Sequence, residues 1–191
     1  MTTSGNSTDN EQITVGQPEN ESEELQYLTF FLGSEMFAIG ILHIKEIQQY
    51  GQLTPVPMMP DFIRGVINLR GAVVPVVDLA TRFSGRANGI TKRTCIVIIE
   101  VNTSDGKQDI GVVMDAVSEV LEIPAENIEP PPVFGAKIRA DFIQGMGKLE
   151  TKVVIILNVD KVLSVEEITM VSQAELAAQT ENYSVLNPDQ K

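Results

Sequence analysis

The chain has 191 residues, of which 43% are hydrophobic, with a net charge of −12, one cysteine and one histidine. A chain of this length can bury a sufficient core without disulfides or metals, and a single cysteine cannot form an internal disulfide. No apolar run approaches the roughly 18 residues that a membrane-spanning helix requires, and the polar N-terminus is unlike a signal peptide. These features exclude a disulfide-rich secreted fold and predict a cytoplasmic protein.

The acidity is concentrated at the two ends of the chain. Residues 1–24 carry six acids and no base, and residues 160–191 carry six acids and two lysines. The stretch 25–159 carries 14 acids and 12 bases and is nearly neutral. It therefore lacks the basic face that binding to nucleic-acid phosphates requires, and we expect no nucleic-acid partner. With no apolar period, residues 1–24 are predicted to be a disordered acidic tail.

The first ordered elements are predicted to form a β-hairpin. Aromatic and aliphatic residues over 27–32 are typical of a strand, and Gly33–Glu35 indicates a turn into a second strand over 36–39. The composition of residues 41–50 suits either a helix or a strand, and its β-branched residues and bordering glycines favour a strand. Residues 53–60 contain three prolines, which indicates an extended or irregular segment.

Similar elements follow along the rest of the chain. We expect one helical turn at Asp61–Ile63, strands over 65–67 and 72–77 around a reversal at Asn68–Gly71, and a short helix at Leu79–Phe83. The further predicted strands cover 93–101, 108–114, 116–123 and 152–159, with a turn over 124–128. Asp160 can cap a closing helix over 161–168, and a further helical segment is predicted over 172–179.

Two of these stretches repeat each other at a fixed offset of 80 residues. Residues 61–79 and 141–159 share seven identities at this spacing. Chance similarity between apolar strands is the alternative explanation. However, the Asp-Phe-Ile-x-Gly motif is repeated as well as the apolar runs, which favours an internal duplication. Many short strands, duplicated, predict a mostly β protein built from two small packed barrels.

The sequence offers few groups for catalysis or for binding a metal. One histidine, His43, cannot form a two-imidazole site, and in a strand it is more typical of a packing or edge residue. Cys95 lies within an apolar strand without an activating base, which favours a buried side chain over a nucleophile. Asp78 and Asp115 are typical of turn or capping residues. We therefore predict no enzymatic activity, no cofactor and no metal.

Two surface positions remain as candidates for binding a partner. Both faces of the predicted 41–50 strand mix apolar and charged residues. This pattern fits an edge strand whose charged side chains prevent pairing with another chain. It also fits a partner-binding patch in which Ile44 supplies apolar contact area and Glu46 fixes the alignment of the partner. Arg70 is either a solvated turn residue or a residue whose guanidinium makes a bidentate contact with a partner's carboxylate. The sequence pattern alone does not distinguish these two roles.

The chain resembles the CheW family of bacterial chemotaxis coupling proteins over about residues 25–168, which include the positions just described. The resemblance is carried by Phe30-x-Leu32-Gly33-x-Glu35, Ile44-x-Glu46-Ile47, Phe62-Ile63-x-Gly65-Val66-x-Asn68-Leu69-Arg70-Gly71-x-x-x-Pro75-x-x-Asp78-Leu79 and Gly111-x-x-x-Asp115-x-Val117-x-Glu119-Val120. It implies two intertwined, five-stranded SH3-like barrels. It also implies a non-catalytic scaffold that joins the cytoplasmic tips of methyl-accepting chemoreceptors to the regulatory domain of the histidine kinase CheA.

The resemblance also implies positions for two binding surfaces. The receptor-facing set is Ile44, Glu46, Gly65, Arg70 and Val117, and the kinase-facing set is Thr94, Cys95 and Ile96. The expected organisation is an acidic tail over 1–24, a CheW-like domain over 25–168 and an extension over 169–191. The remaining alternatives are a coupling protein for surface motility, a small-molecule-binding barrel and an enzyme of unknown class. Barrels of five strands are filled by their own side chains, which disfavours a ligand-filled lumen.

Overall fold

The computed structural model describes residues 26–132 and 138–164 of the chain. Eleven strands and two short helices form in this part. In chain order they are β1 (Gln26–Leu32), β2 (Glu35–Gly40), β3 (Ile44–Gln49), β4 (Ile63–Leu69), β5 (Ala72–Asp78), α1 (Leu79–Ser84), β6 (Cys95–Thr103), β7 (Gly106–Met114), β8 (Ala116–Glu122), β9 (Ile128–Glu129), β10 (Ile143–Lys148), β11 (Val153–Leu157) and α2 (Val159–Val162). The mostly β class predicted from the sequence is confirmed. No helix among the described residues is both long and apolar enough to cross a membrane.

The strands form two sheets, and each sheet takes strands from both copies of the repeat. One sheet has the order β8-β1-β2-β11-β10-β9, and the other has the order β3-β6-β7-β5-β4. The hairpin β1–β2 of the first copy lies against β11 and β8 of the second copy. Conversely, β6–β7 of the second copy lies against β5 and β3 of the first. The two barrels are therefore intertwined, as the resemblance implied, but one of them has six strands instead of five because the two-residue strand β9 adds to its edge.

The duplication is visible in details of backbone pairing. Each hairpin meets the other copy through one parallel contact, β2 with β11 and β7 with β5. Where β4 and β10 begin, the same register shift occurs between residues 63 and 65 and between residues 143 and 145. The N–H of Asp78 donates to the carbonyl of Phe62 at 2.7 Å, and Asn158 donates to Phe142 at 2.8 Å. Equivalent bonds 80 residues apart confirm the repeat.

Most of the buried apolar side chains lie between the two sheets. Alternate residues of β6 show the arrangement: Val97 and Ile99 join this central core, whereas Ile96 and Ile98 face the inside of the five-stranded barrel. In the other sheet, Ala38 faces the inside of the six-stranded barrel, away from Phe37. Strands that are buried on both faces have continuous apolar sequences, which explains why residues 95–99 are all apolar.

One arginine at the junction of the barrels contacts both copies. The guanidinium of Arg82, on α1, lies 4.7 Å from the ring centre of Phe62 and 5.0 Å from that of Phe142. These two phenylalanines occupy equivalent positions of the repeat. Cation–π contact of this kind is favourable when the ring and the cation are shielded from water. Arg82 therefore ties the two repeats together at their junction.

Two expectations about local structure were wrong. Residues Ile41–His43 form a 3-10 turn, so His43 is not in a strand, and β3 begins only at Ile44. The chain passes here from one sheet to the other, and the turn provides the change of direction. Asp160 does not cap α2, because α2 follows β11 directly and the side chain of Asn158 accepts from the Lys161 N–H at 3.2 Å. The predicted helical segments over 165–168 and 172–179 lie outside the described residues.

Candidate functional site

Glu46 and Arg70 form an ion pair that joins β3 to the β4–β5 turn. Arg70 Nη2 lies 2.6 Å from Glu46 Oε2. Arg70 and Gly71 have φ values of 51° and 89°, the left-handed pair that a two-residue hairpin turn requires, and Asn68 Oδ1 accepts from the Gly71 N–H at 2.9 Å. The Arg70 side chain is 74% exposed. The turn therefore presents a guanidinium that is oriented by one carboxylate and has further donors free for another.

Gly65 lies beneath this surface at the register shift of β4. Its φ is 139°, and a Cβ placed there would overlap the carbonyl oxygen of Thr54. Thr54 exchanges two backbone hydrogen bonds with Val66, at 2.9 and 2.8 Å, which closes the barrel along β4. Gly65 is buried and permits this close approach of two backbones. Its contribution to the site is therefore the position of β4.

The two isoleucines of β3 differ in their exposure. The register shifts between Ile44 and Glu46, where β3 pairs with β6. Ile44 is half-buried against the core between the sheets. Ile47 is 49% exposed and pairs with Val97, whereas Glu46 pairs with Ile98, so these two successive side chains lie on opposite faces of β3. Of these two isoleucines, Ile47 therefore offers the larger exposed area, on the face of β3 opposite to Glu46.

Val117 lies in the other sheet from the rest of the predicted receptor set. It pairs with Phe30 between β8 and β1, and it is half-buried against the same central core as Ile44. The structure thus brings Glu46 and Arg70 into direct contact, with Gly65 supporting them. Ile44 and Val117 lie on opposite sheets, and both pack on the core that the two sheets share.

The predicted kinase-facing residues Thr94, Cys95 and Ile96 are all buried. Thr94 Oγ1 accepts from the Thr91 N–H at 2.9 Å and so closes the turn before β6. Cys95 faces the central core, and burial raises the pKa of its thiol. Ile96 faces the inside of its barrel. A partner at this position would meet the surrounding exposed groups rather than these three side chains.

The exposed groups next to the buried residues Thr94, Cys95 and Ile96 are Lys92 and Arg93. Reasoning from the sequence did not assign them a role, although a signal was present. Between Asp78 and Glu100 the chain carries four cations and no acid. Such a local imbalance in a nearly neutral body indicates a cationic surface.

A network of ion pairs covers the outer ends of β3, β6 and β7. Lys45 Nζ lies 2.9 Å from Asp109 and 3.4 Å from Glu100, and Lys107 lies 2.6 Å from Glu100. The hydrogen bond from Lys107 lowers the pKa of Glu100, and the hydrogen bond to Asp109 raises the pKa of Lys45. These charges link the side chains of three neighbouring strands at the surface.

The acidic groups considered from the sequence have structural roles. Asp78 accepts from the Thr81 N–H at 3.0 Å and caps α1, while Asp115 accepts from the Gly33 N–H at 2.6 Å. Within residues 26–132 and 138–164, no group of three or more His, Cys, Asp or Glu side chains is placed to hold a metal ion.

Comparison with known proteins gives a consistent result. The family model described as "CheW-like domain" matches residues 26–167. The chemotaxis protein CheW of Klebsiella aerogenes is 35% identical over 158 residues, which cover 83% of this chain and 93% of that protein. Protein FrzA of Myxococcus xanthus is 32% identical over 143 residues, covering 73% of this chain and 86% of that protein.

A solved structure extends the similarity to three dimensions. The scaffolding protein TtCheW from Thermoanaerobacter tengcongensis superimposes with a TM-score of 0.68 at 32% identity, over 79% of this chain and 95% of that one. The match in family, sequence and fold covers both barrels. The chain therefore belongs to the CheW-like family of chemotaxis scaffold proteins, and it is a scaffold rather than an enzyme.

Proposed function

We propose that this scaffold couples the cytoplasmic tips of methyl-accepting chemoreceptors to the regulatory domain of the histidine kinase CheA, in the cytoplasm at membrane receptor arrays. The observation that carries the proposal is that two barrels share one core. Their outer faces are thereby held at a fixed relative orientation. A receptor and a kinase docked on two such faces are held in a defined geometry, and the state of one can bias the other through differential contacts.

The proposed receptor-binding residues are Ile44, Glu46, Gly65, Arg70 and Val117, and they divide into two roles. Glu46 and Arg70 would contact the receptor directly, because the guanidinium is exposed and already oriented by its partner. Ile47 would supply exposed apolar area on the opposite face of β3. Ile44 and Gly65 would hold β3 and β4 in position, and Val117 would act from the other sheet through the shared core.

The proposed kinase-binding surface surrounds Thr94, Cys95 and Ile96. Because these side chains are buried, substituting them would change the stability of the fold as well as any contact with the kinase. A carboxylate introduced at Cys95 would be buried without a partner and would unfold the protein. Variants for this surface are therefore best chosen among the exposed groups nearby.

The charge of Arg70 provides the first test. We expect Arg70→Glu to fold normally and to weaken binding to receptor cytoplasmic fragments roughly tenfold or more, since it places a carboxylate against Glu46 and against any acidic partner. Isothermal titration and kinase activation in reconstituted arrays measure the effect. Lys152→Glu makes the same charge change near the equivalent turn of the second copy and should bind like the parent. Parental kinase activation by the Arg70 variant would contradict the assignment.

A second test asks whether the two faces are separate. The double variant Glu46→Lys with Ile47→Asp alters only exposed or half-exposed side chains of β3. It should lose receptor binding and keep the affinity for the isolated CheA regulatory domain within about twofold of the parent. Circular dichroism first establishes that the variant is folded. If the folded variant loses both partners equally, one shared surface serves both and the two-face proposal is wrong.

A further inference from the structure

A cleft lies where the β1–β2 turn meets the segment that precedes β6. Phe31, Gly33, Lys92, Arg93 and Ala116 are among the residues that line it. Lys92 and Arg93 are exposed, and neither makes an ion pair with any residue in the part of the chain that the structure describes. We refer to this feature as the cationic cleft.

The two cations are held on a short, well-braced turn. Buried Thr94 accepts from the Thr91 N–H at 2.9 Å, and Thr91 Oγ1 accepts from the Arg93 N–H at 3.1 Å. A turn fixed in this way loses little backbone freedom when a ligand binds. The one acid in the cleft, Asp115, directs its carboxylate to Gly33 N and Asn88 Nδ2, both at 2.6 Å. The cleft therefore carries a net positive charge toward an incoming carboxylate.

The two barrels differ in charge. The described segments of the six-stranded barrel, 26–40, 116–132 and 138–164, carry eight acids and four bases. Residues 41–115, which build the five-stranded barrel, carry seven acids and eight bases. Residues 1–24 hold six acids and no base, and they join the acidic barrel at the start of β1. Electrostatic attraction therefore directs this segment away from the acidic groups of its own barrel and toward Lys92 and Arg93, which the other barrel contributes to the cationic cleft.

The length of the chain before β1 permits this contact. Phe31 lies five residues after Gln26, or about 17 Å along β1. An extended chain spans roughly 3.3–3.6 Å per residue, so Glu21 and Glu19 reach about 17 and 24 Å from Gln26. Both carboxylates can reach the cleft if the chain reverses direction just before β1.

We propose that residues 1–24 dock on the cationic cleft of the same molecule, with Glu19 and Glu21 against Lys92 and Arg93. The contact joins exposed charges, so it is weak, reversible and sensitive to salt. At about 1 M ionic strength the Debye length falls to roughly 3 Å, and the attraction is largely screened. The inference does not rest on the coupling function proposed above, and Lys92 and Arg93 are also the exposed groups beside the proposed kinase-binding residues.

Zero-length carbodiimide cross-linking of the full chain, followed by peptide mass spectrometry, tests the docking. The reagent joins a carboxylate to a lysine amine only where the two are in contact. We expect Lys92 to be joined to the segment containing Glu19 and Glu21, with a yield that falls several-fold in 1 M sodium chloride. The double variant Glu19→Gln with Glu21→Gln should show the same loss at low salt, with an unchanged circular dichroism spectrum.

Matched controls separate docking from general attraction. Asp9→Asn with Glu11→Gln removes the same number of charges farther from β1 and should reduce the yield less. Equal losses in the two double variants, or equal cross-linking at exposed Lys152, would overturn the proposal. Mixing isotope-labelled and unlabelled protein identifies cross-links between molecules. If the Lys92 product is predominantly mixed, a second copy provides the acidic segment and the intramolecular proposal is wrong.

Discussion

At Gly65, a backbone oxygen occupies the space that a side chain would need. The Thr54 carbonyl approaches so closely that even a methyl group would overlap it, and the φ of 139° is one that other residues rarely adopt. Resemblance placed Gly65 in the receptor-binding set, yet its contacts are within the barrel. The loss of binding expected on changing it would therefore arise through the position of β4.

Replacing Gly65 with Ala should lower the free energy of unfolding by roughly 2–4 kcal/mol, because the strain of the backbone and the overlap with Thr54 add. Urea denaturation measures the change. Gly89→Ala is the matched control, since nothing lies within 4 Å of its Cβ position, and it should change stability by less than about 0.5 kcal/mol. A Gly65 variant as stable as the control would show that β4 can shift without cost.

At the scale of elements, the ion pairs across β3, β6 and β7 give stability that depends on pH. The pKa of Glu100 in the folded chain lies below its ordinary value of 4.5, chiefly because Lys107 donates to it. A lowered carboxylate pKa means that the stabilisation is present above the unfolded pKa and is lost as pH falls through the folded one. The stabilising effect of Glu100 is therefore fully present above the ordinary pKa of 4.5 and is lost as the pH falls through the lowered pKa of the folded chain.

We predict that Glu100→Gln lowers the melting temperature at pH 7 and that the difference from the parent shrinks toward zero at pH 3. Thermal denaturation followed by circular dichroism at both pH values provides the measurement. Glu122→Gln, at an exposed position of β8, should show a smaller difference at pH 7. A difference for Glu100→Gln that is unchanged between pH 7 and pH 3 would rule out this source of stability.

Local pattern predicted most of these elements, because strands buried on one or both faces have β-branched and apolar runs. The hairpin 27–39, the strands around Asn68–Gly71 and the helix after Asp78 were all predicted correctly. The 3-10 turn at Ile41–His43 was not, since it arises from the passage of the chain between two sheets. The register shift that leaves Ile44 half-buried depends on β6, more than 50 residues away.

The candidate surface was also predictable only in part, because it depends on contacts between residues far apart in the sequence. Resemblance selected Glu46 and Arg70, but their contact depends on closure of a barrel that no local pattern encodes. Thr94, Cys95 and Ile96 were selected by position, and their burial follows from β6 having a core on each side. The repeat predicted two barrels, while only the resemblance implied that they exchange strands.

For the whole molecule, the exchange of hairpins has a direct consequence for folding. The first five strands end before residue 79 and the last six begin at Cys95, so the exposed connection at 85–93 separates the two copies. Each barrel needs strands from both sides of this connection. Neither half can complete a barrel alone.

We predict that residues 1–89 and 90–191, produced as separate chains, are each largely unfolded and combine into a folded one-to-one complex. Circular dichroism and analytical ultracentrifugation of the separate and mixed chains measure this. The uncut chain provides the reference spectrum. A half that is folded and monomeric by itself would show that a barrel can form without the strands it receives from the other copy.

The shared hairpins also bear on how such a chain could have arisen by duplication. A half-length ancestor with one copy of the repeat would have had no complete barrel as a monomer. Two such chains could have exchanged their hairpins and formed a symmetric homodimer. Joining the two genes would then have made an obligate dimer into one chain. After fusion the two copies were free to diverge in sequence, as the turn residue Arg70 and its counterpart Glu150 show.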